Sequence, residues 1–277
     1  MKCFSFKYYC ETDKYNQKIL PLLRRMSYLE QLTLYFRINN RIGFIDSTEL
    51  DNDILAYMPQ LHSFNFYIST RGAAVDLFRY VPNEETRKTV TILGHQRMIS
   101  FSNYDGIQTG VHHSFSLPFA FDRLEGVGNT IPDTVFRYVT YLLVEDVIPF
   151  EHEFFVRIAR CFPSLVSFRV VSMERQSFNM NTDLSANSQS YAVAQYPHLT
   201  SLNLFLANDD YIDEFLNEQK TSVPCLTELN IVFNSLRIIT QNFTREQTRR
   251  NCAKVKRLIF IGAQVHPKEF YIHFPLL

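Results

Sequence analysis

A short apolar motif recurs seven times along this chain, and its spacing constrains the fold more than any other feature of the sequence. Each copy has apolar residues at its first, fourth and sixth positions, as in Leu29, Leu32 and Leu34. The remaining copies begin at Leu61, Val139, Leu165, Leu199, Leu226 and Val255. Successive copies start 32, 78, 26, 34, 27 and 29 residues apart, so every step except the second is close to one common length. Such a period is typical of chains that are built from stacked structural repeats.

The motif and the segments between its copies predict alternating strands and helices. Residues two apart share one face of a strand, which fits the fourth and sixth positions of each copy. Apolar residues at helical spacing occupy 50–58, 150–162 and 211–216. Two polar pairs have the spacing of helix caps, namely Thr48 with Asp51 and Thr244 with Gln247.

This alternation indicates a leucine-rich repeat, in which parallel strands form a concave side and helices a convex side. The expected fold class is therefore α/β, with a single leucine-rich-repeat domain over residues 1–277 that forms a solenoid. Regular repeats carry asparagine eight residues after the first apolar position, and of the seven copies only the one with Asn234 does so. The repeats are thus predicted to be irregular.

Three segments depart from the repeat pattern. Residues 1–18 precede the first copy and are expected to be an N-terminal segment. Residues 97–119 fall within the long second step, and Asp105-Gly106 is a favoured two-residue turn, so a β-hairpin insertion is expected there. Residues 174–195 are rich in Asn, Ser and Gln, which indicates a polar surface loop.

Composition excludes several classes of function. The formal net charge is zero, from 28 basic and 28 acidic residues, so no overall field steers the chain toward nucleic acid or an anionic membrane. No apolar run approaches the roughly 18 residues of a membrane helix. Five scattered cysteines suggest neither a zinc site nor a disulfide framework. We expect a cytoplasmic protein, or a nuclear one if the basic cluster near the C-terminus is a nuclear signal; the cluster could also be a phosphate-binding patch or solvated cations near a helix end. Its six members are Arg245, Arg249, Arg250, Lys254, Lys256 and Arg257.

Candidate catalytic and metal-binding patterns fail when their spacing is checked. His152-Glu153 begins like a zinc-protease motif, but Val156 stands where the second histidine ligand belongs. His112 and His113 are neighbours on a predicted strand and therefore point to opposite faces. The sequence has no glycine-rich phosphate loop and no nucleophile elbow. The chain is therefore expected to bind no metal and no cofactor, and not to be an enzyme.

From about residue 19 to its end, the chain resembles F-box leucine-rich-repeat proteins. The segments that carry the resemblance are Leu20–Met26, Tyr57–His62, Phe115–Phe119, Pro149–Phe155, Tyr196–Leu199, Asn242–Arg245 and Phe274–Leu277. The resemblance implies that the repeats hold a protein destined for ubiquitination, while an F-box docks onto a cullin ubiquitin ligase through an adaptor. Residues 1–20 do not contain an F-box, so a ligase adaptor is expected as a partner only if an F-box lies upstream of Met1.

The candidate binding residues alternate with the buried motif positions and should face the concave side. They are Tyr35, Tyr67, Tyr141, Glu145, Arg169, Phe205, Glu228 and Arg257. Exposed Tyr, Phe and Arg are the residue types that dominate binding energy in protein interfaces, so a protein partner is expected on this face. Charge reversal at Arg169 together with Tyr67→Ala is predicted to weaken that partner without unfolding the chain.

Two interpretations of function follow. The first is a non-catalytic, protein-binding leucine-rich-repeat domain that recognises substrates for an F-box-type ubiquitin ligase. The alternative is a stand-alone protein–protein interaction scaffold with no coupling to a ligase.

Overall fold

The computed structural model describes residues 2–41, 43–73, 88–93, 96–104, 109–146, 148–172, 192–260 and 267–277. The chain has a mixed α/β fold in which parallel strands and helices alternate over much of the sequence. It divides into two compact units. The first unit comprises Met1–Phe121 and Thr130–Pro132, and the second comprises Asp122–Asn129 and Asp133–Leu277. A single leucine-rich-repeat domain over 1–277 stays a prediction.

The first unit contains a six-stranded mixed sheet. Its strands are β1 (Cys3–Thr12), β2 (Gln31–Ile38), β3 (Ser63–Ala73), β4 (Lys88–Leu93), β5 (Gln96–Tyr104) and β6 (Thr109–Ser116). They lie in the order β1-β2-β3-β6-β5-β4, and the first three are parallel while the others are antiparallel to their neighbours. Between strands lie a π-helical turn (Tyr15–Ile19), α1 (Leu20–Arg24), α2 (Ser47–Asp53) and a 3₁₀ turn (Leu55–Tyr57). Leu32, Leu34 and Phe66 are buried in the core of this unit.

The second unit contains a six-stranded parallel sheet in the order β14-β13-β11-β9-β8-β7. Its strands are β7 (Arg123–Val127), β8 (Tyr141–Asp146), β9 (Ser167–Ser172), β11 (Ser201–Leu206), β13 (Glu228–Asn230) and β14 (Arg257–Ile259). The short strands β10 (Ala194–Gln195) and β12 (Thr221–Ser222) form a separate parallel pair. The helices are α3 (His152–Cys161), α4 (Asp209–Leu216), α5 (Phe233–Ile239), α6 (Arg249–Cys252) and α7 (Lys268–His273), with a 3₁₀ turn at Glu246–Thr248.

Every copy of the apolar motif contributes residues to a parallel strand, so the strand prediction is confirmed. In the second unit the copies are also joined by a repeating backbone ladder. The residue after the first apolar position donates its N–H to the equivalent carbonyl of the previous copy, as in Val166 to Thr140 (2.9 Å), Thr200 to Val166 (2.9 Å) and Thr227 to Thr200 (2.9 Å). Equivalent residues of successive copies therefore stand side by side.

Helices α3 and α4 pack against the parallel sheet through aromatic rings. Phe155 of α3 meets Phe215 of α4 edge-on, with 5.2 Å between ring centroids, and Phe168 of β9 meets Phe215 at 5.4 Å. All three rings are buried. Each such pair contributes about 0.5–1.5 kcal/mol beyond simple area burial. The helices predicted from the apolar spacing of 150–162 and 211–216 are thus confirmed.

The caps and insertions follow the predictions only in part. The cap of α2 is Asp46, whose carboxylate accepts the N–H of Glu49 at 2.8 Å, so the predicted cap at Thr48 is wrong. Strands β5 and β6 confirm the hairpin predicted within 97–119, while its turn at Asp105-Gly106 lies outside the described residues. Residues 174–191 of the predicted polar loop 174–195 also lie outside the described residues, and the last two residues of the predicted loop form β10.

Strands that lack a complete motif escaped prediction. Residues 1–18 contain the ten-residue strand β1, which pairs in parallel with β2. β7 pairs in parallel with β8 although only its buried Leu124 carries the pattern.

Candidate functional site

The eight predicted binding residues divide between the two units. Tyr35 and Tyr67 lie on β2 and β3 of the first unit. The other six lie on strands of the parallel sheet in the second unit, which the structure therefore brings onto one sheet.

The predicted exposure of Tyr35 and Tyr67 is wrong, since both side chains are fully buried. A layer of aromatic rings covers them: Tyr35 lies 4.6 Å from Tyr67, 4.8 Å from Tyr9 and 5.4 Å from Phe121, measured between ring centroids. The hydroxyl of Tyr67 is 3.0 Å from Nδ1 of His113 on β6. Truncating Tyr67 to alanine would open a cavity in this layer and cost about 3–5 kcal/mol, so the double variant tests stability as well as binding.

The polar face of the second unit's parallel sheet is the side that faces away from α3 and α4. Its side chains alternate along each strand with the buried ones that pack on the helices. They are Arg123, Glu125, Tyr141, Leu143, Glu145, Ser167, Arg169, Val171, Ser201, Asn203, Phe205, Glu228, Asn230, Arg257 and Ile259. All six predicted residues of this unit belong to the polar face.

The strand register aligns these side chains in rows across the sheet. One row comprises Arg123, Tyr141, Ser167, Ser201, Glu228 and Arg257. The next row comprises Glu125, Leu143, Arg169, Asn203, Asn230 and Ile259. Parallel strands place paired residues about 5 Å apart, so each row is a continuous strip of side chains.

Charged groups near both ends of the first row are already paired. The Arg123 guanidinium stacks on the Tyr141 ring at 3.9 Å from its centroid and approaches the Glu125 carboxylate to 3.4 Å. At the other end, Arg257 donates to Glu228 at 3.1 Å. The Arg257 side chain is 69% exposed, so this ion pair contributes little to stability.

Arg169 differs from these two arginines. Its Nε atom is buried and has no hydrogen-bond partner among the described residues. The residues that flank it in register are Leu143 and Asn203, neither of which carries a charge. The Asn203 side-chain oxygen accepts the N–H of Phe205 at 3.2 Å, so the remaining hydrogen-bonding group of this side chain is its NH₂ donor.

Two histidines predicted to face opposite sides of one strand do contact different partners. His112 lies between the hydroxyls of Ser102 (2.7 Å) and Ser114 (3.2 Å), whereas His113 stacks on Phe101 at 4.5 Å. Burial lowers the pKa of His112 to about 3, so this imidazole is neutral at physiological pH. Because both hydroxyls beside it are buried too, this cluster packs the sheet and offers no nucleophile to a substrate.

His152 uses its ring nitrogens within the fold. Nδ1 lies 2.8 Å from the Glu214 carboxylate and Nε2 lies 2.9 Å from the Ala192 carbonyl. Burial raises the pKa of Glu214. In the part of the chain that the structure describes, no three His, Cys, Asp or Glu side chains are grouped as a metal site.

The basic cluster near the C-terminus is largely paired with acids. Four of its six cations lie within 4.0 Å of a carboxylate, and they are Arg245, Arg249, Arg250 and Arg257. The shortest contact joins Arg245 to Asp213 at 2.5 Å and anchors the chain after α5 to α4. This arrangement agrees with structural cations better than with a strip free to bind phosphates.

The structure has a cleft at the start of α3 that no sequence pattern predicted. Its volume is about 460 Å³, and its lining includes Asn129, Glu151, Phe154, Arg157 and Arg160. Arg157 donates to the Asn129 carbonyl at 2.8 Å, which joins segments that are far apart in the chain. No local sequence pattern could have predicted that the segments around Asn129 and Arg157 line the same cleft.

Comparison with family models, with curated proteins and with solved structures finds no significant match. Across the described residues, no helix is long and apolar enough to cross a membrane.

Proposed function

We propose that the chain is an irregular leucine-rich-repeat solenoid that binds a protein on the polar face and performs no chemistry itself. The observation that carries this proposal is the register of the parallel sheet, which gathers Tyr141, Arg169 and Glu228 from different copies onto one surface. Repeat proteins use such surfaces, in which each repeat contributes one or two residues, to hold extended partners.

The backbone ladder supports the solenoid. From the copy at Leu165 onward, each copy of the second unit bonds to its predecessor through the same position, as stacked repeats require, and the apolar residues beneath the ladder are buried. Helices α3 and α4 both cover the side of the sheet opposite the polar face, which is the arrangement of a convex helical side.

The resemblance to F-box leucine-rich-repeat proteins favours one role within this function. In that role the bound protein is a substrate for a ubiquitin ligase, and coupling to the ligase adaptor requires an F-box outside residues 1–277. A scaffold without a ligase uses the same face and is the second candidate. The proposed location is intracellular.

Site-specific photo-crosslinking tests the binding face. A benzophenone amino acid at Phe205 replaces one half-buried aromatic residue of the polar face with another of similar shape. The matched control carries the same group at Arg160, which is exposed on α3. We expect discrete protein adducts in cells from Phe205 and none of the same mass from Arg160. Identical adducts from both positions would refute a dedicated face.

The ligase role is tested on the captured protein. If it is a substrate, proteasome inhibition raises its abundance in cells that contain the chain, and loss of the chain raises it too. A captured protein whose abundance responds to neither treatment identifies the scaffold instead.

A further inference from the structure

Arg169 is the residue of the polar face whose surroundings define the chemistry of a ligand. It lies on β9, with two strands of the sheet on one side and three on the other, and therefore near the middle of the face. Its buried Nε has no acceptor among the described residues. A guanidinium withdrawn from water without an acceptor is unfavourable, and a carboxylate that reaches the partly exposed part of the Arg169 side chain supplies the countercharge that the described residues do not.

The carboxylates of the same face do not fill this role. Glu228 is engaged by Arg257 at 3.1 Å and also accepts from Ser201 (3.3 Å) and Asn230 (3.2 Å). Glu125 is paired with Arg123. Glu125 lies in the same row as Arg169, but two strands away from it. Glu145 stands opposite Val171, one row beyond Arg169.

From these observations we infer that the partner inserts an Asp or Glu side chain between Arg169 and Asn203. This inference rests on the proposed function and names the chemistry of the same face. The planar guanidinium fork matches the two oxygens of a carboxylate, and the Asn203 NH₂ group in the neighbouring strand adds an uncharged donor.

A single acidic side chain fits better than a phosphate group. A phosphate carries about two negative charges and is normally bound by several cations together. On this face the other two arginines, Arg123 and Arg257, each face a carboxylate of their own. A doubly charged phosphate would therefore face one available guanidinium and the negative charges of the nearby glutamates. A singly charged carboxylate balances the single positive charge of Arg169.

Peptide selection with a charge-swap cycle tests this inference. A library of random twelve-residue peptides is selected on the purified full chain, and each selected peptide is required to crosslink through the benzophenone at Phe205. Peptides are then remade with each Asp or Glu replaced by Asn or Gln, and binding is measured to wild type and to Arg169→Gln.

We expect one acidic position whose neutralisation weakens binding to wild type by about tenfold or more and has little effect on binding to Arg169→Gln. Arg160→Gln is the matched control, since it removes an exposed cation of α3, on the opposite side of the sheet, and it should change affinity less than threefold. Circular dichroism melting of both variants establishes that they are folded.

Three outcomes would overturn the inference. Crosslinking peptides that bind Arg169→Gln as tightly as wild type exclude a role for this guanidinium. Peptides that bind only when phosphorylated replace the carboxylate with a phosphate. A library that yields no crosslinking peptide, together with an absence of adducts in cells, removes the binding face itself and with it the proposed function.

Discussion

Acidification should destabilise the first unit through one buried histidine. His112 on β6 is fully enclosed between the hydroxyls of Ser102 and Ser114, and burial lowers its pKa from the ordinary 6.5 to about 3. The folded chain keeps the ring neutral between those values, while the unfolded chain protonates it below about pH 6.5. The unfolded state therefore binds more protons in this window, and stability falls as the pH falls through it.

The size of the effect follows from the two pKa values. At pH 5 the unfolded state gains about 2 kcal/mol relative to pH 7 from protonating this one ring, since the folded state gains almost nothing until pH 3. Urea unfolding at pH 7 and pH 5, followed by circular dichroism, measures this loss. The test variant is His112→Asn, whose amide can still bond to the Ser102 hydroxyl and does not titrate.

For each protein, the free energy of unfolding at pH 5 is compared with its own value at pH 7. The effect of the substitution on stability at pH 7 therefore cancels. Wild type should lose about 2 kcal/mol more than His112→Asn on going to pH 5. His198→Asn, at an exposed histidine, should lose as much as wild type. An equal loss in wild type and His112→Asn would refute the argument from burial.

Three further predictions concern the second unit and are measured by urea unfolding at pH 7. Arg169→Met should raise the free energy of unfolding by about 1 kcal/mol, because it removes a buried donor that lacks an acceptor. The control Arg257→Met should change it by less than about 0.5 kcal/mol. A lower free energy of unfolding for Arg169→Met would show that the donors of Arg169 are satisfied in the fold. Phe155→Ala, in the aromatic core, should lower the free energy of unfolding by about 3–5 kcal/mol, whereas Phe205→Ala, on the polar face, should lower it by about 1 kcal/mol or less. Similar losses for the two variants would contradict the assigned sides of the sheet. Tyr211→Phe should cost about 1–3 kcal/mol, because the hydroxyl accepts a backbone N–H at 2.7 Å and donates to a buried carboxylate at 2.6 Å, and a neutral result would mean that water replaces it.

The sequence predicted those parts of the fold whose signal is local. Leu202 and Leu204 identify a half-buried strand by themselves, and the run from Tyr211 to Leu216 identifies a helix with acids at its start. The polar face was predictable for the same reason, since strand alternation fixes which side chains oppose the buried ones.

What could not be predicted depends on chain segments that meet only in three dimensions. Tyr35 occupies the same motif position as Phe205, which is only half-buried. Tyr35 is buried because Phe121 and its neighbours return from 80 and more residues away to cover it. The missing acceptor at Arg169 is equally invisible in the sequence, because it depends on which carboxylates the register places in adjacent strands.

The backbone ladder of the second unit bears on the order in which its strands form. The bonded residues Thr140, Val166, Thr200, Thr227 and Lys256 are separated by 26, 34, 27 and 29 positions. The entropic costs of closing loops of such similar length differ by only about 0.2 kcal/mol. Loop closure therefore favours no pair of neighbouring copies strongly over another. In the proposed solenoid, folding therefore nucleates at any adjacent pair and spreads in both directions, and removal of one whole copy disturbs the remaining repeats less than removal of a few residues within one.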